Sequence, residues 1–72
     1  MEIVQTLDCR GKRCPLPIIE VAAAIKNIQI GQAIELISDD PASKPDLIAW
    51  ARMTSHQVSE IGIDHYLVIR IV

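Results

Sequence analysis

The hydrophobic period changes twice in the first half of the chain, and that change limits the fold more than any single residue does. From Ile3 to Cys9 the residues alternate, with Ile3, Leu7 and Cys9 on one parity and Val4, Thr6 and Asp8 on the other, the pattern of a short strand. Arg10-Gly11 ends it. From Pro15 onward the spacing is helical: Ile18, Val21, Ala22, Ile25 and Ile28 form one stripe, Glu20 and Lys26 lie off it, and a helix is expected over residues 15–28. Ile30-Gly31-Gln32 stops that helix, and Ala33 to Ser38, apolar around Glu35, reads as a strand covered on at least one face. Strand, helix and strand make a βαβ unit, whose right-handed crossover lays the helix over one face of two parallel strands.

The second half completes one further layer of the same design. Residues 38–46, "SDDPASKPD", are turn formers, and Ser43 followed three positions later by Asp46 resembles a capping box opening a second helix. Pro45 is tolerated in its first turn, where an amide has no helical partner. Leu47, Ile48, Trp50, Ala51 and Thr54 give this helix its apolar side, and it is expected to end near Ser55. Val58 to Glu60 and Tyr66 to Val72 read as strands joined through Gly62-Ile63-Asp64-His65, the second being β-branched enough to be interior. The order is βαβαββ, an α+β two-layer sandwich, read as a single domain over residues 1–72.

Composition narrows what such a sandwich can do. At 72 residues the core is small, contributing roughly 3–5 kcal/mol. It is built from Ile, Val, Leu and Ala, with no Phe and with Trp50 and Tyr66 as the aromatics. A net charge of −2 and so few aromatic rings exclude an electrostatic or stacking platform for nucleic acid, and no direct binding to it is expected. No apolar run approaches the roughly 20 residues that cross a bilayer. Two cysteines are too few for a secreted disulfide framework and no charged-then-apolar leader precedes the first strand, so a reducing cytoplasm is the expected setting.

The chemistry is concentrated in "LDCRGKRCPLPII", residues 7–19. Cys14 stands immediately before Pro15, a favoured first helical residue, which puts its sulfur at or beside the N-cap. There the helix dipole is positive, and Arg10, Lys12 and Arg13 supply three of the chain's seven cations just upstream. Both effects favour the thiolate. Pro15 and Pro17 remove the first and third helical amides and leave Leu16 as the local donor to sulfur, so the expected depression of the thiol pKa is moderate.

Other roles for these residues are weaker. Cys9 shares parity with Leu7 and reads as a core residue. The two cysteines with His56 and His65 lack the paired spacing of a zinc site, so no metal is expected. A thioredoxin-type motif needs a second cysteine where Pro17 stands. Gly11 reads first as a turn residue that also lets a partner approach closely. Asp39 and Asp40 end the second parallel strand, which brings their loop to the same sheet rim as Cys14, where they would pair with Arg10 or Arg13. A carboxylate that close to Cys14 would oppose its ionisation.

With these residues placed, "LDCRGKRCPLP" resembles the LDxRGxxCPxP signature of the TusA/SirA-like sulfur-carrier family, and "SDDPAS" followed by Asp46 and a Trp-containing helix resembles that family's second motif. The similarity extends over nearly the whole chain. It implies a fold like the C-terminal domain of translation initiation factor three, a four-stranded mixed sheet in order 1-2-4-3 under two helices. It also implies that Cys14 takes sulfane sulfur from a persulfidic donor, a cysteine desulfurase or rhodanese, and passes it to an acceptor protein thiol, with no cofactor. The routes such carriers serve include tRNA thiolation, molybdenum-cofactor assembly and sulfur oxidation. Asp8 and Arg10 match the signature in supporting roles, while Ser55 stands before His56 where the family often has Gly. Two other functions compete with sulfur transfer: a redox sensor joining Cys9 to Cys14, and a non-catalytic docking adaptor. A monomer forming transient complexes is expected at this size.

Overall fold

Residues 2–72 are described by the structure, a computed structural model. The elements run β1 (Glu2–Asp8), α1 (Leu16–Ile25), β2 (Gln32–Ile37), α2 (Ser43–Thr54), β3 (Gln57–Gly62) and β4 (His65–Ile69). One mixed sheet has the order β1-β2-β4-β3. β1 and β2 are parallel, β4 is antiparallel to both of its neighbours, and the β-branched last strand is interior. This is the βαβαββ sandwich expected from the pattern, in the strand order implied by the resemblance.

The two helices cover the face carrying Ile34, Leu36, Tyr66 and Val68, which pack with Val21, Ile25, Ile28, Leu47 and Cys9 into the core. On β2 the alternate residues Glu35 and Ile37 turn to the uncovered face, where Glu35 accepts one hydrogen bond from the Thr6 hydroxyl and pairs with His65 Nδ1 at 3.0 Å. Of the expected α1 stripe, Ala22 is only half-buried and Ala24 takes its place.

β1 corrects the simple alternation. Its register against β2 slips at Val4: Ile3 pairs with Ala33, whereas Gln5 pairs with Ile34 and Leu7 with Leu36. One inserted residue reverses parity, so Leu7 packs on the core while Ile3 is half-exposed. The helix boundaries also move. α1 begins at Leu16 with Pro15 as its N-cap, and it ends at Ile25 rather than Ile28 because Asn27 N–H turns to the Ala24 carbonyl in a tighter final bend. Ile28 remains buried beyond the helix end. Glycine at position 31, with φ 92°, then reverses the chain into β2.

The capping box at α2 does not form. Ala42 is the N-cap, no side chain caps the helix, and Ser43 is its first helical residue, with its hydroxyl directed elsewhere. At the other end Ser55 adopts the left-handed conformation, φ 66°, that favours glycine. The bend brings His56 against Trp50, ring centroids 5.5 Å apart, and lets its Nδ1 accept the Ile71 N–H. Ser55→Gly is expected to stabilise the fold by about 0.5–1 kcal/mol, the relief of left-handed strain less the added freedom of the unfolded chain. Urea unfolding checks it through a raised midpoint at unchanged slope.

Candidate active site at the sheet rim

The C-terminal ends of parallel β1 and β2 lie side by side, and the loops leaving them form the site. Cys9 N–H continues the ladder to the Ile37 carbonyl, Lys12 N–H bends back to the Cys9 carbonyl, and Gly11 takes φ 81° in the turn between them. The Cys14–Pro15 peptide is cis, and Pro17, in the first turn of α1, is buried. Cys14 is half-buried, one residue ahead of the N-cap.

Asp39 and Asp40 hold this loop through its backbone. Gly11 N–H donates to Asp39 Oδ1 at 3.0 Å, and Cys14 N–H donates to Asp40 Oδ2 at 2.6 Å. The other Asp40 oxygen accepts the Ala42 N–H at 3.0 Å, so one carboxylate ties the two loops together. These bonds to backbone amides keep Asp40 ionised below its ordinary range, with Arg13 assisting at a distance. The expected side-chain pairing of Asp39 and Asp40 with Arg10 or Arg13 is not what forms. Arg10 is held by Asp8 in a two-pronged bond, its Nε at 2.9 Å and Nη2 at 2.7 Å, and the pair draws the Asp8 pKa down to about 2. Lys12 pairs with Glu20 at 2.6 Å. Among the described residues Arg13 has no ion-pair partner within 4.0 Å and stands exposed beside the site.

The Cys14 thiol reverses the electrostatic expectation: its pKa is raised. Burial is the main cause; the Ser43 hydroxyl opposes it, and the Asp46 and Asp40 carboxylates add to it. The cations gathered upstream do not offset this, since Arg10 and Lys12 are drawn to their own carboxylates. Leu16 N–H does not reach the sulfur either, because it donates to the Arg13 carbonyl at 2.9 Å. The group that does contact Sγ is Ser43 Oγ at 3.3 Å, and Ser43 is in turn 2.6 Å from Ser38 Oγ. Ser38, Ser43 and Asp46 are the site residues that local reading assigned elsewhere or left out. Their signal was the spacing of two serines around the Asp-Asp-Pro bend.

Cys9 is fully buried, as expected, and burial together with the neighbouring Glu20 pushes its thiol up to about 11. Beside Cys14 the surface offers a polar cleft of about 220 Å³ lined by Gly11, Lys12, Arg13, Asp39, Asp40 and Pro41. On the other side an apolar groove of about 300 Å³ runs between the helices past Pro15, Ile18, Asp46, Ala49, Trp50 and Met53. Among the described residues no group of three or more His, Cys, Asp or Glu is placed to hold a metal, and no helix is long and apolar enough to cross a membrane.

This rim, a half-buried cysteine at the start of a Pro-x-Pro helix with its amide held by a carboxylate from the adjoining loop, is carried by sequence motifs that a known family shares. The family model described as Sulfurtransferase TusA matches residues 5–72. The chain belongs to the TusA sulfurtransferase family. A proposed sulfur carrier protein of Archaeoglobus fulgidus is 31% identical over 55 residues, 76% of this TusA-family chain and 75% of the relative. The proposed sulfur carrier protein YrkF of Bacillus subtilis is 35% identical over 57 residues. That match takes in 79% of the present chain but 31% of YrkF, so the chain corresponds to about a third of that relative. The crystal structure of a SirA-like protein from Desulfitobacterium hafniense superposes with a TM-score of 0.70 over 89% of this chain and 90% of the other, at 24% identity, which establishes the shared fold. Family membership makes sulfur transfer the general activity of this TusA-family chain.

Proposed function

We propose that Cys14 accepts sulfane sulfur as a persulfide and relays it to the thiol of an acceptor protein. The observation that carries this reading is the placement of Cys14, half-buried at the sheet rim with its amide bonded to Asp40 and its sulfur touching Ser43, in a chain of a sulfurtransferase family. In the first step the Cys14 thiolate attacks the outer sulfur of a donor persulfide, supplied by a cysteine desulfurase or a rhodanese. The new S–S bond forms as the donor's breaks, and the electron pair leaves on the donor sulfur, which takes up a proton. An acceptor thiolate then attacks the outer sulfur of Cys14–S–SH and the pair returns to Sγ. No net oxidation occurs.

The raised pKa fits this use. At neutral pH the free thiol rests protonated and less open to oxidation, while the thiolate fraction that does form is the more nucleophilic for its higher basicity. Gly11, Pro15 and Pro17 shape the loop, Asp39 and Asp40 fix it, and exposed Arg13 is available to an acidic partner surface. Arg10 and Lys12 act within the chain, bracing the loop through Asp8 and Glu20. The protein works as a monomer in the cytoplasm, meeting donor and acceptor in turn, and tRNA thiolation is one route its sulfur can serve. The redox-sensor reading is disfavoured by the complete burial of Cys9.

Incubation with a cysteine desulfurase and cysteine is expected to add about 32 Da to the intact protein, reversibly by thiol reduction, and none to Cys14→Ser. A donor-loaded protein that never yields sulfur to any protein thiol, or a Cys14→Ser variant that loads normally, removes the proposal. Partner binding and cellular activity surviving in Cys14→Ser would instead mark an adaptor.

A further inference from the structure

We infer that Ser43 is a further catalytic residue, its hydroxyl donating a hydrogen bond to the Cys14 sulfur whenever that sulfur bears charge, and that Ser38 is the positioning residue that sets the direction of this bond. Ser43 is wholly buried and Ser38 is 1% exposed, so each hydroxyl must find its partners inside the protein. The hydroxyls form a row, Ser38 Oγ, Ser43 Oγ at 2.6 Å and Cys14 Sγ a further 3.3 Å on, while the Asp46 and Asp40 carboxylates also face the sulfur and, carrying no proton, cannot donate to it once it is charged. Ser43 does not cap α2, and its own N–H goes to the Asp40 carbonyl, so its side chain is committed to this row.

With Cys14 as a thiol, the protons in the row can run in either direction. A thiolate has no proton and can only accept, so ionisation leaves one order: Ser38 donates to Ser43, and Ser43 donates to sulfur. Ser38 is fixed for that task at the end of β2, where its N–H is bonded to the Asp64 carbonyl. A donor held in place before the reaction, aimed at the atom where charge develops, is the arrangement that stabilises anions in enzyme sites. Here the atom is Sγ. In the accepting half of the proposed relay, Sγ carries charge just before it attacks the outer sulfur of the donor persulfide. In the releasing half, the S–S bond of Cys14–S–SH breaks, its electron pair returns to Sγ, and Ser43 meets the leaving group as it becomes anionic. The releasing half rests on the persulfide reading; donation to a charged sulfur does not.

The test is the pH dependence of Cys14 alkylation by iodoacetamide, followed by mass spectrometry on the full chain from about pH 6 to about pH 11. Ser43→Ala is expected to move the midpoint upward, slow alkylation about threefold near pH 7 and raise the rate at the alkaline plateau, so that its profile crosses that of the parent. Ser43→Thr keeps a hydroxyl and returns the profile to within about twofold, and Ser38→Ala shifts it in the same direction by a smaller amount. Ser38→Ala also supplies the test if Ser43→Ala does not fold. Superimposable profiles for the alanine variants and the parent overturn the inference, as does a slowing at every pH that Ser43→Thr shares, which marks a packing role. In the same proteins, sulfur release to an acceptor thiol should slow about three- to tenfold in Ser43→Ala. If the alkylation profiles cross but no variant or parent ever loads sulfur, the carrier reading fails and the Ser43 donation stands.

Discussion

Asp40→Ala slows sulfur acceptance from a protein donor by about tenfold or more, and at the same time makes Cys14 easier to ionise. The two effects have opposite origins. The Asp40 carboxylate holds the Cys14 amide at 2.6 Å and the Ala42 amide at 3.0 Å, and without it the loop that presents the sulfur is no longer tied to the α2 side of the rim. A reacting atom displaced by about 1 Å costs on the order of a hundredfold in a well-aligned transfer, so partial loosening accounts for tenfold. The same carboxylate is one of the anions that raise the Cys14 thiol, so its removal lowers the pKa. Single-turnover loading from a desulfurase therefore falls while iodoacetamide labelling near neutral pH rises. Asp40→Asn keeps one oxygen acceptor, which can hold the Cys14 or the Ala42 amide but not both, and lacks the charge; it is expected to recover only part of the loading and to keep the faster labelling. Loading by Asp40→Ala at the parent rate would show that the carboxylate does not position the sulfur.

Leu47→Ala has the largest expected effect on stability. Of the α2 side chains only Ser43 and Leu47 are fully buried, and Leu47 joins Val21, Ile34, Leu36 and Val68 in the core. Truncating such a leucine costs about 2–5 kcal/mol, comparable with the whole net stability of a core this size. The variant is expected to be largely unfolded by circular dichroism at moderate temperature, and α2 would carry Ser43 and Asp46 away from the rim with it. Ile19→Ala, on a half-exposed α1 position, is expected to cost less than about 1 kcal/mol. Similar urea midpoints for the two variants would contradict this picture of what holds α2 down.

The parts of the fold that depend on period and on local stops are legible in the sequence: the βαβ unit, the second helix, the hairpin through Gly62-Ile63-Asp64-His65, whose turn in the structure narrows to Ile63-Asp64, and the interior last strand. The strand order came from the family resemblance, since nothing local in βαβαββ selects 1-2-4-3. Val4 could not be recognised as a bulge, because an inserted residue keeps the composition of a strand while reversing its parity. The α2 start was misread for a related reason: a Ser with an acidic residue three positions later is what a capping box needs, but a buried hydroxyl and a sulfur were better partners for Ser43.

The electrostatics of Cys14 went the other way because local reasoning counts charges by sequence distance. Arg10 and Lys12 are near Cys14 in the chain, yet Asp8 and Glu20 are nearer to them in space. The carboxylate that reaches the Cys14 amide comes from 26 residues away, through the parallel pairing of β1 with β2. Rim placement of both loops followed from topology. Which atom would meet which followed only from the fold. Cys14 thus rests as a protonated thiol, with the Ser43 hydroxyl in contact with its sulfur.

Peptide mapping after sulfur loading locates the thiol that carries the sulfur. Trypsin cuts after Arg10 and Arg13, so Cys9 and Cys14 fall on separate peptides. After incubation with a desulfurase, a persulfide-blocking reagent and digestion, the added sulfur of about 32 Da is expected on the peptide that begins at Cys14, with the Cys9 peptide unmodified. Sulfur on the Cys9 peptide, or on neither, would contradict the account.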